Sequence, residues 1–285
     1  MRFKAKLGND KLSAFQSVVA ALEKVAPKSV LLLTAEDLRF CMNGIGTDGL
    51  SAFAQLNPDE LFMDWRIESQ TNNIILLEVQ LQNILDALNS AKKAPQCQIK
   101  LAKRSGQACL CLETRALEID VLHEIPVTLI RASDAAYYNP PALARPQVQL
   151  ILPMGRGLKN IVDRVKGLSK YLYLKATMAG SLDVRVTNDQ VSIRSFFNEL
   201  QPSFDNLDDE DEEDVLQGKA YVKLESKPFS TALQCTPMAT NSLICLEENQ
   251  TVVVHNQLNG GTITFYLTVQ NIDDAMDWDD DPDDG

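Results

Sequence analysis

Histidine is nearly missing from this chain: only His123 and His255 occur in 285 residues. Both fall in alternating apolar stretches that predict strands, so no Ser-His-Asp order can be assembled around either. The sequence also lacks a GxxxxGK[ST] phosphate loop, a GxGxxG after a strand and an HExxH helix. Its six cysteines (Cys41, Cys97, Cys109, Cys111, Cys235 and Cys245) form no CxxC. Set among apolar residues, they predict buried reduced thiols, although Cys109 and Cys111 would share one strand face. No run of about 18 apolar residues exists, and the opening MRFKAKLGND has no apolar signal core. The glycine-rich stretch Gly44 to Gly49 lies between predicted strands, where a wide turn explains it. These absences predict a soluble intracellular chain with no catalytic residues, no cofactor and no metal site.

Charge of one sign is present in excess, but not evenly. The formal net charge is −12, which as an average argues against nucleic acid. Seven acids, however, are packed into Asp208–Asp214 (DDEDEED), and eight more lie between Asp273 and Asp284. Setting those fifteen of the 39 acids aside leaves 24 against 27 Lys and Arg, a mildly basic body. The DDEDEED run lacks the glycine spacing of a calcium loop. Such runs repel themselves, have nothing to bury, and are expected to be solvated and disordered.

The pattern of the remainder predicts two similar halves of α+β type. The first reads as a strand (Met1–Leu7, with Phe3, Ala5 and Leu7 on one face) and a helix (Lys11–Ala26) capped by Asn9 or Asp10 and stopped by Pro27. Five strands follow, at Ser29–Leu33, Asp37–Met42, Leu50–Leu56, Leu61–Ile67 and Ile74–Val79. A second helix (Gln80–Ala94) carries Leu81, Ile84, Leu85 and Leu88 at helical spacing, and three strands close the half at Gln98–Ala102, Ala108–Thr114 and Ile119–Ile125. Between Pro126 and Pro146, four prolines and no clean period predict an interdomain connector. The second half repeats the plan: strand Val148–Leu152, helix Gly155–Tyr171, strands Leu172–Thr177, Ser181–Thr187, Val191–Phe197 and Lys219–Leu224. It ends in a short helix from Lys227 to about Cys235 and three strands from Leu243 onward, with Asn259-Gly260-Gly261 as the last hairpin turn.

The stretch Met154–Tyr173 carries the sharpest pattern. At 100° per residue, Leu158, Ile161, Val162, Val165 and Leu168 form one apolar stripe, while Arg156, Lys159, Lys166 and Lys170 fall within roughly 80° of each other, centred about 130° away. Asp163 is the only acid in that basic sector. A solvated helix face with snorkelling lysines and a surface for a polyanion both fit this pattern.

The order of elements, together with Met1-Arg-Phe-Lys-Ala-Lys6, Thr34-Ala-Glu-Asp-Leu-Arg-Phe40, His123-Glu-Ile-Pro-Val127, Val148-Gln-Leu-Ile-Leu-Pro153 and Ala220-Tyr-Val-Lys-Leu224, resembles the DNA sliding-clamp (PCNA-like) family. Within it the chain is similar to the Hus-type subunit of the heterotrimeric checkpoint clamp, the nine-one-one complex, from Met1 to about Val269. The resemblance implies two PCNA-like clamp domains (1–126 and 148–272, with the acidic loop 205–214 in the second), a connector (127–147) and an acidic tail (273–285). Strands would form an outer shell and helices the inner, DNA-facing surface. It implies a non-enzymatic nuclear protein that encircles duplex DNA without reading sequence, with two other clamp-like subunits, an ATP-dependent clamp loader and repair and checkpoint proteins as partners, and no membrane. Lys24, Lys92, Lys93, Arg156, Lys159, Lys166, Lys170 and Lys227 would face the DNA, and edge strands at the two ends of the chain would pair with neighbours. A homotrimeric replication clamp and a protein scaffold that never touches DNA remain open readings of the residues.

Overall fold

Phe3, Ala5 and Leu7 alternate with polar neighbours along β1 (Arg2–Gly8), and all three are buried. That alternation is what a pleated strand does with one apolar face. The chain runs straight into α1 (Asn9–Glu23), which buries Leu12, Phe15, Val18, Val19 and Leu22. Each such side chain contributes about 1.5–3 kcal/mol when fully buried, so packing rather than capping holds this helix. The expected cap is corrected: Gly8 occupies the N-cap with extended backbone and no side-chain bond, and Asn9 and Asp10 stand in the first turn. There the Asp10 carboxylate favours the positive end of the helix dipole. The computed structural model describes residues 1–43, 49–92, 94–115, 120–143, 145–204, 218–248 and 250–271. The glycine-rich turn at 44–48, Lys93, the acidic loop 205–214 and the tail from 273 lie outside the described residues.

After α1 come β2 (Lys28–Leu33), β3 (Leu38–Asn43), β4 (Leu50–Leu56), a one-turn α2 (Pro58–Leu61), β5 (Phe62–Glu68), β6 (Ile75–Gln80), α3 (Leu81–Ala91), β7 (Gln96–Arg104), β8 (Gln107–Arg115) and β9 (Asp120–Pro126). The short α2 was not expected from periodicity. It is a local device, with Asn57 accepting the Asp59 N–H at 3.0 Å and Pro58 in the first turn. The connector holds β10 (Thr128–Ile130) and a 3₁₀ turn (Ala132–Tyr138). The second half comprises β11 (Val148–Ile151), α4 (Gly157–Val165), β12 (Tyr171–Thr177), β13 (Ser181–Thr187), β14 (Ser192–Phe197), β15 (Lys219–Glu225), α5 (Ser226–Ala232), a 3₁₀ turn (Thr236–Met238), β16 (Asn241–Glu247), β17 (Thr251–Leu258) and β18 (Gly261–Thr268).

The strand orders show the duplication. In the first half the orders are β5-β1-β7-β8-β9 and β6-β2-β3-β4; in the second they are β11-β16-β17-β18 and β15-β12-β13-β14. The place that β5 holds beside β1 is taken in the second half by residues 201–203. There the Ile151 N–H donates to Gln201 O at 2.8 Å and the Ser203 N–H to Gln149 O at 3.0 Å. The halves join edge to edge. β4 pairs antiparallel with β18, from Leu267 opposite Leu50 to Thr262 opposite Gln55, and a nine-stranded sheet results. One buried apolar cluster runs through both halves.

This pairing corrects the expected edges. The first strand of the chain lies inside its sheet between β5 and β7, and the last is flanked by β4 and β17. The strands with a single neighbour among the described residues include β9, paired only to β8, and β14, paired only to β13.

The connector is tied down more firmly than its prolines predict. β10 pairs with β6, and the 3₁₀ turn lays Ala135 and Tyr138 over Val30, Leu32, Cys41, Phe53 and Leu76 on the outer face of the large sheet. Asn43 Nδ2 donates to Tyr137 O at 2.7 Å.

The seam between halves contains a close approach that only glycine allows. Gly260 has φ +98°, and a Cβ there would stand 2.9 Å from the Ala14 Cβ on α1. Gly260→Ala should therefore lower the unfolding free energy by about 1–3 kcal/mol, measured by urea denaturation. A neutral effect would mean that α1 and the β17–β18 hairpin are not held as close as this.

Candidate nucleic-acid interface

The helices form one contiguous row. α1 packs on α3, with Gln16 Nε2 donating to Asn89 Oδ1 at 2.7 Å. The far end of α1 meets the second half: Lys24 Nζ donates to Met238 Sδ at 3.4 Å, and the Cys235 thiol points at Ala21 O at 3.7 Å. α5 in turn packs on α4. So α3, α1, α5 and α4 follow one another, each with its apolar face buried; α5 buries Ser226 and Ser230 as well.

Among the described residues, seven cations are exposed along this row: Lys11, Lys24, Lys92, Arg156, Arg164, Lys170 and Lys227. Lys24 and Lys92 are the C-caps of α1 and α3, where a cation also suits the helix dipole. Arg156 is the N-cap of α4, the end where a cation opposes the dipole by about 0.3–1 kcal/mol. It adds to the positive potential of a helix terminus, which favours an anion from solvent. The start of α5 is tied to Lys170, whose carbonyl accepts the Ser226 N–H at 2.9 Å, and Lys227 follows it in the first turn. Lys170 also pairs with Glu225 at 3.2 Å. Lys93 lies outside the described residues.

Two expected cations are used differently. Lys159 and Lys166 both hydrogen-bond Asp163, which accepts a third bond from Ser230 of α5 at 2.7 Å. The Lys159 side chain is only 18% exposed and Lys166 38%. Burial alone would raise the Asp163 carboxyl, but the bonds from Lys159, Lys166 and Ser230 outweigh it and hold the group well below the usual carboxylate range. The acid that interrupts the basic sector is thus the hub of the α4–α5 contact, and it neutralises part of the charge expected to face outward.

α4 is also shorter than its pattern predicted. It ends at Val165, and the chain turns at Gly167, so Lys170 lies beyond the helix and Leu168 is 39% exposed. Leu158, Val162 and Val165 are the buried set. Dropping Ile161 and Leu168 from the stripe rotates its centre by roughly 30°, which brings Arg164 to the exposed side. Arg164 was missed because the apolar stripe was read too long. The break at Gly167-Leu168-Ser169 was the signal that could have found it.

Burial pushes Cys41, Cys235 and Cys245 up to about 12 and Cys97 to about 11, far from a reactive thiolate. Five of the six cysteines are buried and Cys245 is half-buried. No group of three or more His, Cys, Asp or Glu side chains that could hold a metal occurs among the described residues. No described helix is long and apolar enough to cross a membrane.

Comparison with known proteins bears on the family and the fold. A family model described as "Hus1-like protein" matches residues 1–271. The "Checkpoint protein hus1 homolog" of Dictyostelium discoideum is 27% identical over 275 residues, covering 94% of this chain and 98% of that protein. "Checkpoint protein hus1" of Schizosaccharomyces pombe is 25% identical over 296 residues, covering 94% and 99%. "Checkpoint protein HUS1" of Homo sapiens is 26% identical over 209 residues, covering 70% and 74%. Among solved structures, the proliferating cellular nuclear antigen of Entamoeba histolytica superposes with a TM-score of 0.71 at 13% identity, covering 94% of this chain and 99% of that one. That of Thermococcus kodakaraensis gives 0.64 at 18% identity, covering 94% and 100%. The fold is that of a PCNA-like clamp.

The Asp163 hub has a pH signature. A carboxyl held below its unfolded value near 3.9 contributes stability that is fully present above that pH and is lost as pH falls through the folded value. Asp163→Asn should therefore destabilise the protein by about 1 kcal/mol above pH 5, and the gap to the native chain should narrow progressively as pH falls below about 4 toward the depressed folded value. Urea midpoints across the pH series measure it. A gap that persists unchanged in acid would show that ionised Asp163 is not what joins α4 to α5.

Proposed function

We propose, from the premise that this chain belongs to the Hus1-like family, that it is one of three different subunits of a DNA-damage checkpoint clamp closed around duplex DNA. The observation that carries this reading is the β4·β18 junction. In the duplicated fold, β14 is the counterpart of β4 and β9 the counterpart of β18. The pair β9 and β14 is therefore a second copy of the same junction, divided between two edge strands of one chain. β9 of one subunit would pair with the β14 counterpart of the next, repeating the internal seam around a ring. Exposed Leu122 on β9 (45%) and Phe196 on β14 (55%) are apolar side chains on edges that such pairing would cover.

The two clamp domains in this reading are 1–126 and 148–272, joined by the connector 127–147. The helical row faces the hole, and Lys24, Arg156 and Arg164, with Lys92, Lys170 and Lys227 beside them, meet phosphates without reading bases. Lys159 and Lys166 contribute to the field while holding the helices together. The protein is a non-enzymatic nuclear platform, loaded by an ATP-dependent clamp loader and used by repair and checkpoint proteins. The names of its relatives, all checkpoint proteins, support this reading over a homotrimeric replication clamp.

Two experiments test it. Reversing Lys24, Arg156 and Arg164 to Glu should weaken duplex retention by the assembled ring and reduce the slope of log K against log salt by roughly 0.9 for each phosphate contact removed. Unchanged retention would remove the helices from the interface. For assembly, Leu122→Asp and Phe196→Asp should each abolish contact with a different neighbour while the monomer keeps its melting temperature. Native mass measurement with the two partner chains reads the outcome, and intact rings from both variants would overturn the edge pairing.

A further inference from the structure

The four-stranded sheet has a second face that the helices do not use. Leu172, Leu174 and Ala176 of β12 and Ala220, Val222 and Leu224 of β15 are buried on the core side. Strand alternation sends Tyr171, Tyr173 and Lys175, and Tyr221 and Lys223, to the opposite side, where all five are half-exposed. The antiparallel register sets Tyr173 opposite Lys223 and Tyr221 opposite Lys175. Each of these two cross-strand pairs sets a ring beside a cation, while Tyr171 stands opposite Glu225, which pairs with Lys170. Lys223 Nζ lies 5.1 Å from the Tyr171 ring centre and 5.9 Å from that of Tyr173, and Lys175 Nζ lies 5.4 Å from Tyr221. Lys170, at the rim, stands 4.9 Å from Tyr171.

Solubility alone asks a sheet face for charge, not for tyrosine. The chain has six tyrosines, and three of them are on this face, so the rings are concentrated where the cations are. Cations draw a polyanion, and the ring faces offer stacking surfaces that accept any base. An acidic peptide would use the cations and leave the rings idle. We propose that this face binds single-stranded nucleic acid, with phosphates on Lys175 and Lys223 and bases stacked on Tyr171, Tyr173 and Tyr221. The formal charge of −12 opposes a polyanion at long range, so the attraction is local and strongly salt-dependent. The face lies across the sheet from the helical row, and the inference needs only the single chain, so it stands or falls separately from the ring.

Fluorescence anisotropy of a labelled oligo(dT) with the full-length chain, over a salt series, tests it. Wild type is expected to bind at low salt. Lys175→Glu with Lys223→Glu should lower the slope of log K against log salt by about 1.4, from roughly 0.7 per phosphate contact on a single strand. Tyr171→Ala and Tyr173→Ala should each weaken binding by about tenfold, while the Tyr→Phe pair restores it, because stacking needs the ring and not the hydroxyl. The charge variant keeps the test open should ring truncation unsettle the sheet, and circular dichroism with a melting curve checks the fold of each. Absence of wild-type binding at low salt would overturn the proposal. So would an equal loss on reversing Arg156 and Arg164, which would place the strand on the helices. Equal affinity for an oligo-glutamate peptide that Tyr171→Ala leaves intact would overturn it in favour of an acidic-peptide surface.

Discussion

The backbone pairing of β4 with β18 is the constraint on which the rest of this molecule depends. Each half has a strand edge that it cannot cover itself, and an uncovered edge is a row of unmet hydrogen-bonding groups. Joining the halves through one such pair satisfies two edges at once and leaves their counterparts, β9 and β14, facing outward. The same seam fixes where the helices go. α1 lies under the β17–β18 hairpin, close enough that Gly260 has no room for a side chain, and its far end reaches the turn after α5. Edge pairing in the sheets is thus what makes four separate helices one row.

Electrostatics then decides what that row can do. The acids that dominate the net charge are gathered in two runs outside the described residues, and the cations are distributed over the helices and one sheet face. Charge on the helices is not uniform either. Asp163 draws Lys159 and Lys166 inward to meet Ser230, so part of the basic stripe serves cohesion. Arg156, Arg164 and Lys24 stay exposed. In the proposed clamp, a surface that meets phosphates without discriminating bases needs field rather than fixed geometry, and exposed cations at helix ends would suit that requirement.

Much of this was legible beforehand. Period-two alternation located β1, β12 and β13 to within a residue, and of the α3 stripe Leu81, Ile84 and Leu88 are buried while Leu85 is half-buried, Ala87 and Ala91 completing the buried set. What misled was pattern that outlasted its element. Leu168 continues the α4 stripe by spacing, yet Gly167 has already turned the chain. Lys170 therefore belongs to the approach to α5 and not to the helix. The short α2 and the three-residue β10 were invisible because neither is long enough to show a period; each exists through a local bond or a neighbouring strand.

The sequence by itself determined the elements, their order in two matching halves, and the segregation of acidic runs from a mildly basic body, because these follow from local periodicity, turn residues and counting. Only the tertiary structure decided which edges are free, which lysines face solvent and which are spent on Asp163, and that Tyr171, Tyr173 and Tyr221 share a face with Lys175 and Lys223. Those facts depend on pairings between residues far apart in the chain, such as Ser230 with Asp163 or Thr262 with Gln55, and no local pattern encodes a partner.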